Sequence, residues 1–122
     1  MDVLQVAQHA EDLDRARDFY AKLLGVEPSG FFDPPGLVFF RAGSVRLLLE
    51  QGAPSALIYL KVDDLEATVA ALRADGVAIV AEPELIFTHN DDRLGPAGMA
   101  ERMAFIRDSE GNTVGLVGHR PA

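Results

Sequence analysis

The sequence has no cysteine among its 122 residues. Disulfides, zinc–thiolate centres and cysteine nucleophiles are therefore excluded. Basic residues are few: 11 Lys and Arg stand against 19 Asp and Glu, for a formal net charge of -8. A nucleic-acid surface needs clustered Lys and Arg, so no such partner is expected. The acidic excess reads as a solubility feature. No apolar run approaches the ~20 residues of a membrane span, and the N-terminus has no basic segment leading into an apolar one. The expectation is a cytoplasmic protein with no membrane partner. Glycine-rich phosphate loops, nucleophile elbows and two-histidine metalloprotease motifs are also missing. Gly95-Pro96-Ala97-Gly98 lacks phosphate-loop spacing and reads as a turn. No low-complexity tract or long linker splits the chain, and its length suits one domain over residues 1–122.

What is present is a strand-then-helix unit that occurs twice. Val3 to Ala7 alternates, with Val3, Gln5 and Ala7 on one side and Leu4 and Val6 on the other, the pattern of a strand. Glu11 and Asp12 suit the positive start of a helix. Leu13, Ala16, Phe19, Tyr20, Leu23 and Leu24 form its apolar stripe, and Gly25 ends it. The Leu4/Val6 side is expected to meet that stripe, leaving Gln5 on the opposite face. Glu27 to Gly36 reads as a turn region and Leu37 to Phe40 as a short strand. Val45 to Glu50 is another strand, with Val45, Leu47 and Leu49 toward the helix and Arg46, Leu48 and Glu50 on the Gln5 side.

Gln51 to Ser55 reads as a linker. Leu57 to Val62 is the second leading strand, with Leu57, Tyr59 and Lys61 on the face away from the helix. Asp63 or Asp64 caps the next helix; Leu65, Val69 and Leu72 lie on its stripe and Gly76 closes it. The Asp-Leu pairs 12–13 and 64–65 sit 52 residues apart, as internal duplication would place them. Val77 to Val80 and Glu84 to Phe87 read as strands around a turn at Pro83. Thr88 to Gly98 reads as a loop, Met103 to Arg107 and Thr113 to Val117 as the last strands, and His119 to Ala122 as a tail. The predicted class is α+β: two βαβββ repeats, about 3–50 and about 56–119, forming a curved mixed sheet around a cup, with helices on the outer face.

Three stretches carry a resemblance. The first is Val6 to Gly25, with Asp12-Leu13, Phe19-Tyr20 and Leu23-Leu24-Gly25. The second is Val62-Asp63-Asp64-Leu65. The third is Phe105-Ile106-Arg107-Asp108-Ser109-Glu110-Gly111-Asn112, similar to an F-x-D-P-D-G-N turn with serine for proline. In order and spacing these resemble the glyoxalase/bleomycin-resistance/dioxygenase superfamily, the vicinal oxygen chelate proteins, over nearly the whole chain. The resemblance implies the paired-repeat fold, a small-molecule site in the cup and a homodimer that in some members exchanges halves. It does not imply one activity, because such folds host many.

Metal-dependent members hold a divalent ion with four side chains, typically His, Glu or Gln, from the first and last strand of each half. The resemblance carries those slots to Gln5, to Leu48 in a loose register with Glu50 two residues on, to Leu57, and to Gly115. Leucine and glycine offer no ligand. Gln5 and Glu50 are thus the only metal candidates at those slots, and a metal-free cup is the leading expectation.

Other candidates stand beside this one. Glu50 with Arg46 and Lys61 could form a charged cluster on the cup wall, the carboxylate acting as a base next to a carbonyl, or simply a rim ion pair. His89, in Thr88-His89-Asn90-Asp91-Asp92, could titrate near neutrality as an acid/base or be an exposed loop residue. His9 reads as a loop residue at the strand end and His119 as inert. Arg102 and Arg107 could meet an anionic ligand or be scattered surface charges. Phe31, Phe32, Phe39, Phe40, Tyr59 and Phe105 are aromatic-pocket or core residues. The ligand-binding set expected is Gln5, Arg46, Glu50, Tyr59 and Lys61; the catalytic candidates are Glu50 and His89. Three functions follow: a metal-free small-molecule binder, a lyase, isomerase or dioxygenase-related enzyme acting next to a carbonyl, or a protein with a decayed site that works by association.

Overall fold

Asp12 and Asp64 set the two helices. In the computed structural model, which describes residues 1–122, both have extended backbones, and each carboxylate accepts the N–H three residues on, from Arg15 or Ala67, at 3.0 Å. These contacts satisfy donors that a helix start leaves unpaired. Helix α1 spans Leu13–Leu24 and helix α2 spans Leu65–Ala74. Gly25 ends α1 at φ 70, a left-handed conformation that residues with a side chain rarely adopt.

The strands are β1 (Gln5–His9), β2 (Gly30–Phe32), β3 (Leu37–Ala42), β4 (Val45–Glu50), β5 (Ile58–Lys61), β6 (Ile79–Thr88), β7 (Met99–Arg107) and β8 (Thr113–Pro121). They form two four-stranded sheets of the same topology, β1-β4-β3-β2 and β5-β8-β7-β6. In each, the first strand pairs parallel with the last and the other pairings are antiparallel. The chain divides into two units, residues 1–56 with 108–112, and residues 57–107 with 113–122.

In the first unit, Ala16 and Tyr20 of α1 are fully buried, as are Val38 and Phe40 of β3 and Leu49 of β4. Strand alternation then leaves Phe39, Arg46 and Leu48 on the helix-free face. Each large side chain in this core contributes about 1.5–3 kcal/mol by leaving water. The 108–112 turn completes the unit through hydrogen bonds. Asp108 accepts the Tyr20 hydroxyl at 2.7 Å and the Asn112 side chain and two backbone N–H groups at 2.8 Å. Glu110 accepts the Asp12 N–H at 2.8 Å and the Arg15 Nε at 2.7 Å. Burial opposes ionisation of Glu110, but Arg15, Asp12 and Ser109 outweigh it and hold its pKa at about 2. Burial, reinforced by Asp108, pushes the Tyr20 phenol well above its usual value.

In the second unit, Leu65 and Val69 of α2 are buried, as are Ala104 and Ile106 of β7 and Val114 and Leu116 of β8. Gly118 permits the helix to approach: a Cβ there would stand 2.9 Å from Leu65 Cβ.

Several boundaries differ from the sequence reading. β1 starts at Gln5, so Leu4 lies outside it and is 64% exposed rather than under the helix. The Glu27–Gly36 turn region contains β2, which pairs with β3. Pro83 does not break the chain into two strands; it lies inside β6 at a register shift, where no ladder donor is required of it. β7 begins four residues before Met103, and β8 continues four residues past Val117. His119 is therefore a strand residue, not part of a tail.

Candidate functional site

The registers align the two units residue by residue. Val6 pairs with Leu47 and Ile58 with Val114, which makes Leu48 and Gly115 equivalent. Leu48 pairs with Phe39 and Gly115 with Phe105, so these phenylalanines are equivalent too.

On the helix-free face of the first unit, Arg46 Nε donates to Gln5 Oε1 at 3.1 Å, and its guanidinium sits 5.6 Å from the Phe39 ring centroid. Phe32 meets the same ring edge-on at 6.1 Å. An amide, a guanidinium and two rings thus share one patch, able to take a planar group by stacking and an acceptor by hydrogen bonding. Glu50 lies four residues along β4, half-buried, opposite His9. Within this unit the Arg46 guanidinium turns to Gln5 and Phe39. His9 is half-buried, with Nδ1 2.9 Å from the Gln51 carbonyl oxygen and Nε2 3.6 Å from Glu11.

On the corresponding face of the second unit, the Tyr59 ring lies over Gly115. A Cβ on Gly115 would fall 2.5 Å from Tyr59 Cδ1. Tyr59 meets Phe105 edge-to-face at 6.0 Å and remains 51% exposed. Lys61 ends β5, exposed and opposite Val117. The six aromatics therefore do not form one pocket. Phe40 joins the core beside Tyr20, and Phe31 lies under the Arg17 guanidinium. Phe32, Phe39, Tyr59 and Phe105 stand on helix-free faces.

Farther along the second sheet is a cluster that sequence reasoning missed. His89 is only 4% exposed, not a solvated loop residue, and its Nε2 is 3.0 Å from Glu101 Oε1. His119 Nε2 is 2.9 Å from the same oxygen. Burial works against the Glu101 charge, but the two imidazoles outweigh it and hold its pKa below the usual carboxylate range. Three candidate ligand atoms lie within 4.8 Å of one another. The loop around His89 includes a cavity of about 390 Å³ lined by Phe87, Thr88, Asn90, Asp91, Arg93 and Leu94 with the histidine itself. A signal was there: His119 continues the phase of Gly115 and Val117, and Glu101 that of Met103 and Phe105. Arg102, a candidate for anion binding, instead pairs with Glu66 of α2.

The family slots fare differently. Gln5 faces Arg46, Leu57 is apolar, and the Gly115 position is filled by the Tyr59 ring. These residues do not fit a four-ligand divalent centre.

Comparison with known proteins agrees with the topology. The family described as Glyoxalase/Bleomycin resistance protein/Dioxygenase superfamily matches residues 3–116. No curated protein matches the chain. Among solved structures, TnmS3, an antibiotic binding protein from Streptomyces sp. CB03234, is similar at TM-score 0.75 and 23% identity, over 100% of this chain and 97% of that one. A lactoylglutathione lyase from Agrobacterium tumefaciens is similar at TM-score 0.69 and 23% identity, over 96% and 92%. A superfamily member from Sphaerobacter thermophilus is similar at TM-score 0.72 and 22% identity, over 97% of each. At these identities the likeness is one of fold.

Proposed function

The chain belongs to the glyoxalase/bleomycin resistance protein/dioxygenase superfamily, and on that premise we propose that it is a small-molecule-binding protein with no ion at the family's metal position. The observation that carries this reading is the Tyr59 ring seated over Gly115, where a metal-dependent relative would present a ligand. Ligand-binding groups there are replaced by an aromatic surface, Tyr59 with Phe105. The ligand is a small organic molecule with a flat, largely apolar body and an acceptor or anionic group. On the second unit Tyr59 stacks on the body and Lys61 meets the charge; Gln5, Arg46 and Glu50 are proposed as ligand-binding groups on the helix-free face of the first unit, taken by itself. The fold likeness to an antibiotic binding protein supports a sequestering role.

The test is a thermal-shift screen of planar, acid-bearing aromatic compounds in the presence of a chelator. A ligand that binds only the folded state raises its melting temperature. The reading expects a shift in chelator that is lost in Tyr59→Ala. A shift that appears only when a divalent ion is added, and that depends on Gln5 and Glu50, would favour an ion-dependent lyase or isomerase instead.

The chain is also proposed to pair with itself. Val80, Leu85 and Ile86 on β6, an edge strand of its sheet, are large apolar residues left exposed. Native mass should give twice 13.2 kDa, the mass of one chain; a monomer at micromolar concentration rejects the pairing.

A further inference from the structure

We propose that His89, Glu101 and His119 form a binding site for a first-row divalent transition metal of the zinc class, separate from the family's metal position.

Geometry is the first ground. Zinc binds imidazole nitrogen and carboxylate oxygen at about 2.0–2.2 Å, so tetrahedral ligands sit about 3.4 Å apart. His89 Nε2 and His119 Nε2 approach Glu101 Oε1 at 3.0 and 2.9 Å, and all three ligand atoms fall within 4.8 Å. Opening the two Glu101 contacts by a few tenths of an ångström, with the two imidazole nitrogens brought to the same spacing, converts two hydrogen bonds to one carboxylate into three bonds to one cation. Two imidazoles and one carboxylate make a borderline donor set that suits zinc, cobalt or nickel rather than magnesium or calcium. With three protein ligands, one coordination position is left for water or a small molecule. His89, one member of the cluster, also borders the cavity of about 390 Å³.

The second ground is that the surrounding chain makes room for the histidine. A Cβ on Gly95 would lie 2.6 Å from both Cε1 and Nε2 of His89, so only glycine leaves space for the ring there. Backbone bonds from Gly98 N to His89 O at 2.8 Å and from His89 N to Met99 O at 2.9 Å fix the base of the loop. The Phe87 ring packs at 4.6 Å from the imidazole.

Third, the fold does not need the cluster. The first unit forms the same strand order without an extension of this kind. As a hydrogen-bond network the cluster is also unfinished, since His119 Nδ1 is buried with no partner. A metal would not partner that atom, but metal–ligand bonds far exceed the hydrogen bonds they replace.

Position separates this site from the family's. His119 is four residues beyond Gly115 on β8, about 13 Å along the strand at about 3.3 Å per residue.

The test is titration of the chelator-stripped full chain with Co2+ and then Zn2+, with no organic ligand present. The proposal expects one Co2+ per chain, the visible absorption of a four-coordinate cobalt ion, and its displacement by Zn2+. Glu101→Gln and His119→Ala should each weaken binding by more than about 100-fold, beyond the loss of an outer partner. Circular dichroism of the stripped variants establishes that they fold; His119 lies near a strand end, so at least that variant is expected to. No uptake by the wild-type chain overturns the proposal. So does uptake unchanged in His119→Ala, or uptake abolished by Gln5→Ala, which would put the ion at the family's position. Because the titration contains no organic ligand and the ligand screen contains chelator, either reading can fail alone.

Discussion

The two repeats share a strand order but not a length. β3 and β4 have six residues each; their counterparts β7 and β8 have nine. Matched through Phe39 and Phe105, and through Leu48 and Gly115, the surplus falls at Met99 to Arg102 and Gly118 to Pro121. That surplus holds Glu101 and His119. The shared part of each sheet carries the family's pattern, and the added part carries the groups with ligand chemistry. A second contrast lies in the helices. Tyr20 of α1 is tied to Asp108, whereas the residue 52 positions later is Leu72, which has no hydroxyl to offer. The first unit is held by a polar anchor, the second by apolar packing alone at that place. Duplication thus fixed topology, while side chains diverged in what they hold.

Four substitutions sharpen this contrast. Asp108→Ala should have the largest effect, about 3–4 kcal/mol lost in urea unfolding, because the buried Tyr20 hydroxyl and the Asn112 amide lose their acceptor. Next comes Glu110→Gln, read against pH. The folded pKa of Glu110 is about 2, below an unfolded value of about 4.3, so its stabilisation is present above the unfolded value and lost as pH falls toward 2. The wild type should exceed the variant by roughly 2–3 kcal/mol at pH 7, and the gap should close near pH 2. A gap independent of pH would mean that the carboxylate charge is not what anchors the turn. Gly115→Ala should cost about 1–2 kcal/mol, since the new methyl meets the Tyr59 ring. Paired with Tyr59→Ala it should cost less than alone. Smallest is Gln5→Ala, within about 0.5 kcal/mol, because its bond to Arg46 is solvent-exposed.

The helices were legible because their signals are local. Asp12 and Asp64 cap where an acidic residue precedes an apolar stripe, and both do. The strand ends were not. Met99-Ala100-Glu101-Arg102 and Gly118-His119-Arg120-Pro121 have no apolar alternation, and glycine and proline argue for a break. They are strands because each supplies the other's ladder: Ala100 pairs with Arg120 and Glu101 with His119. Pairing of that kind is tertiary and overrides propensity. The same gap hid the cluster of His89, Glu101 and His119, because its three members are 12 and 18 residues apart in sequence. The motif turn was legible as a motif but not as an anchor; nothing local says that Asp108 receives Tyr20 from 88 residues away.

The central claim is that an aromatic surface has taken the place of the family's ion. Its most direct test is the dissociation constant of a ligand from the screen, measured by calorimetry for wild type and Tyr59→Ala, each with and without chelator. The account predicts one wild-type constant, unchanged by chelator, and a loss of at least about tenfold in Tyr59→Ala, or about 1.4 kcal/mol. Binding that vanishes in chelator yet survives Tyr59→Ala would contradict it.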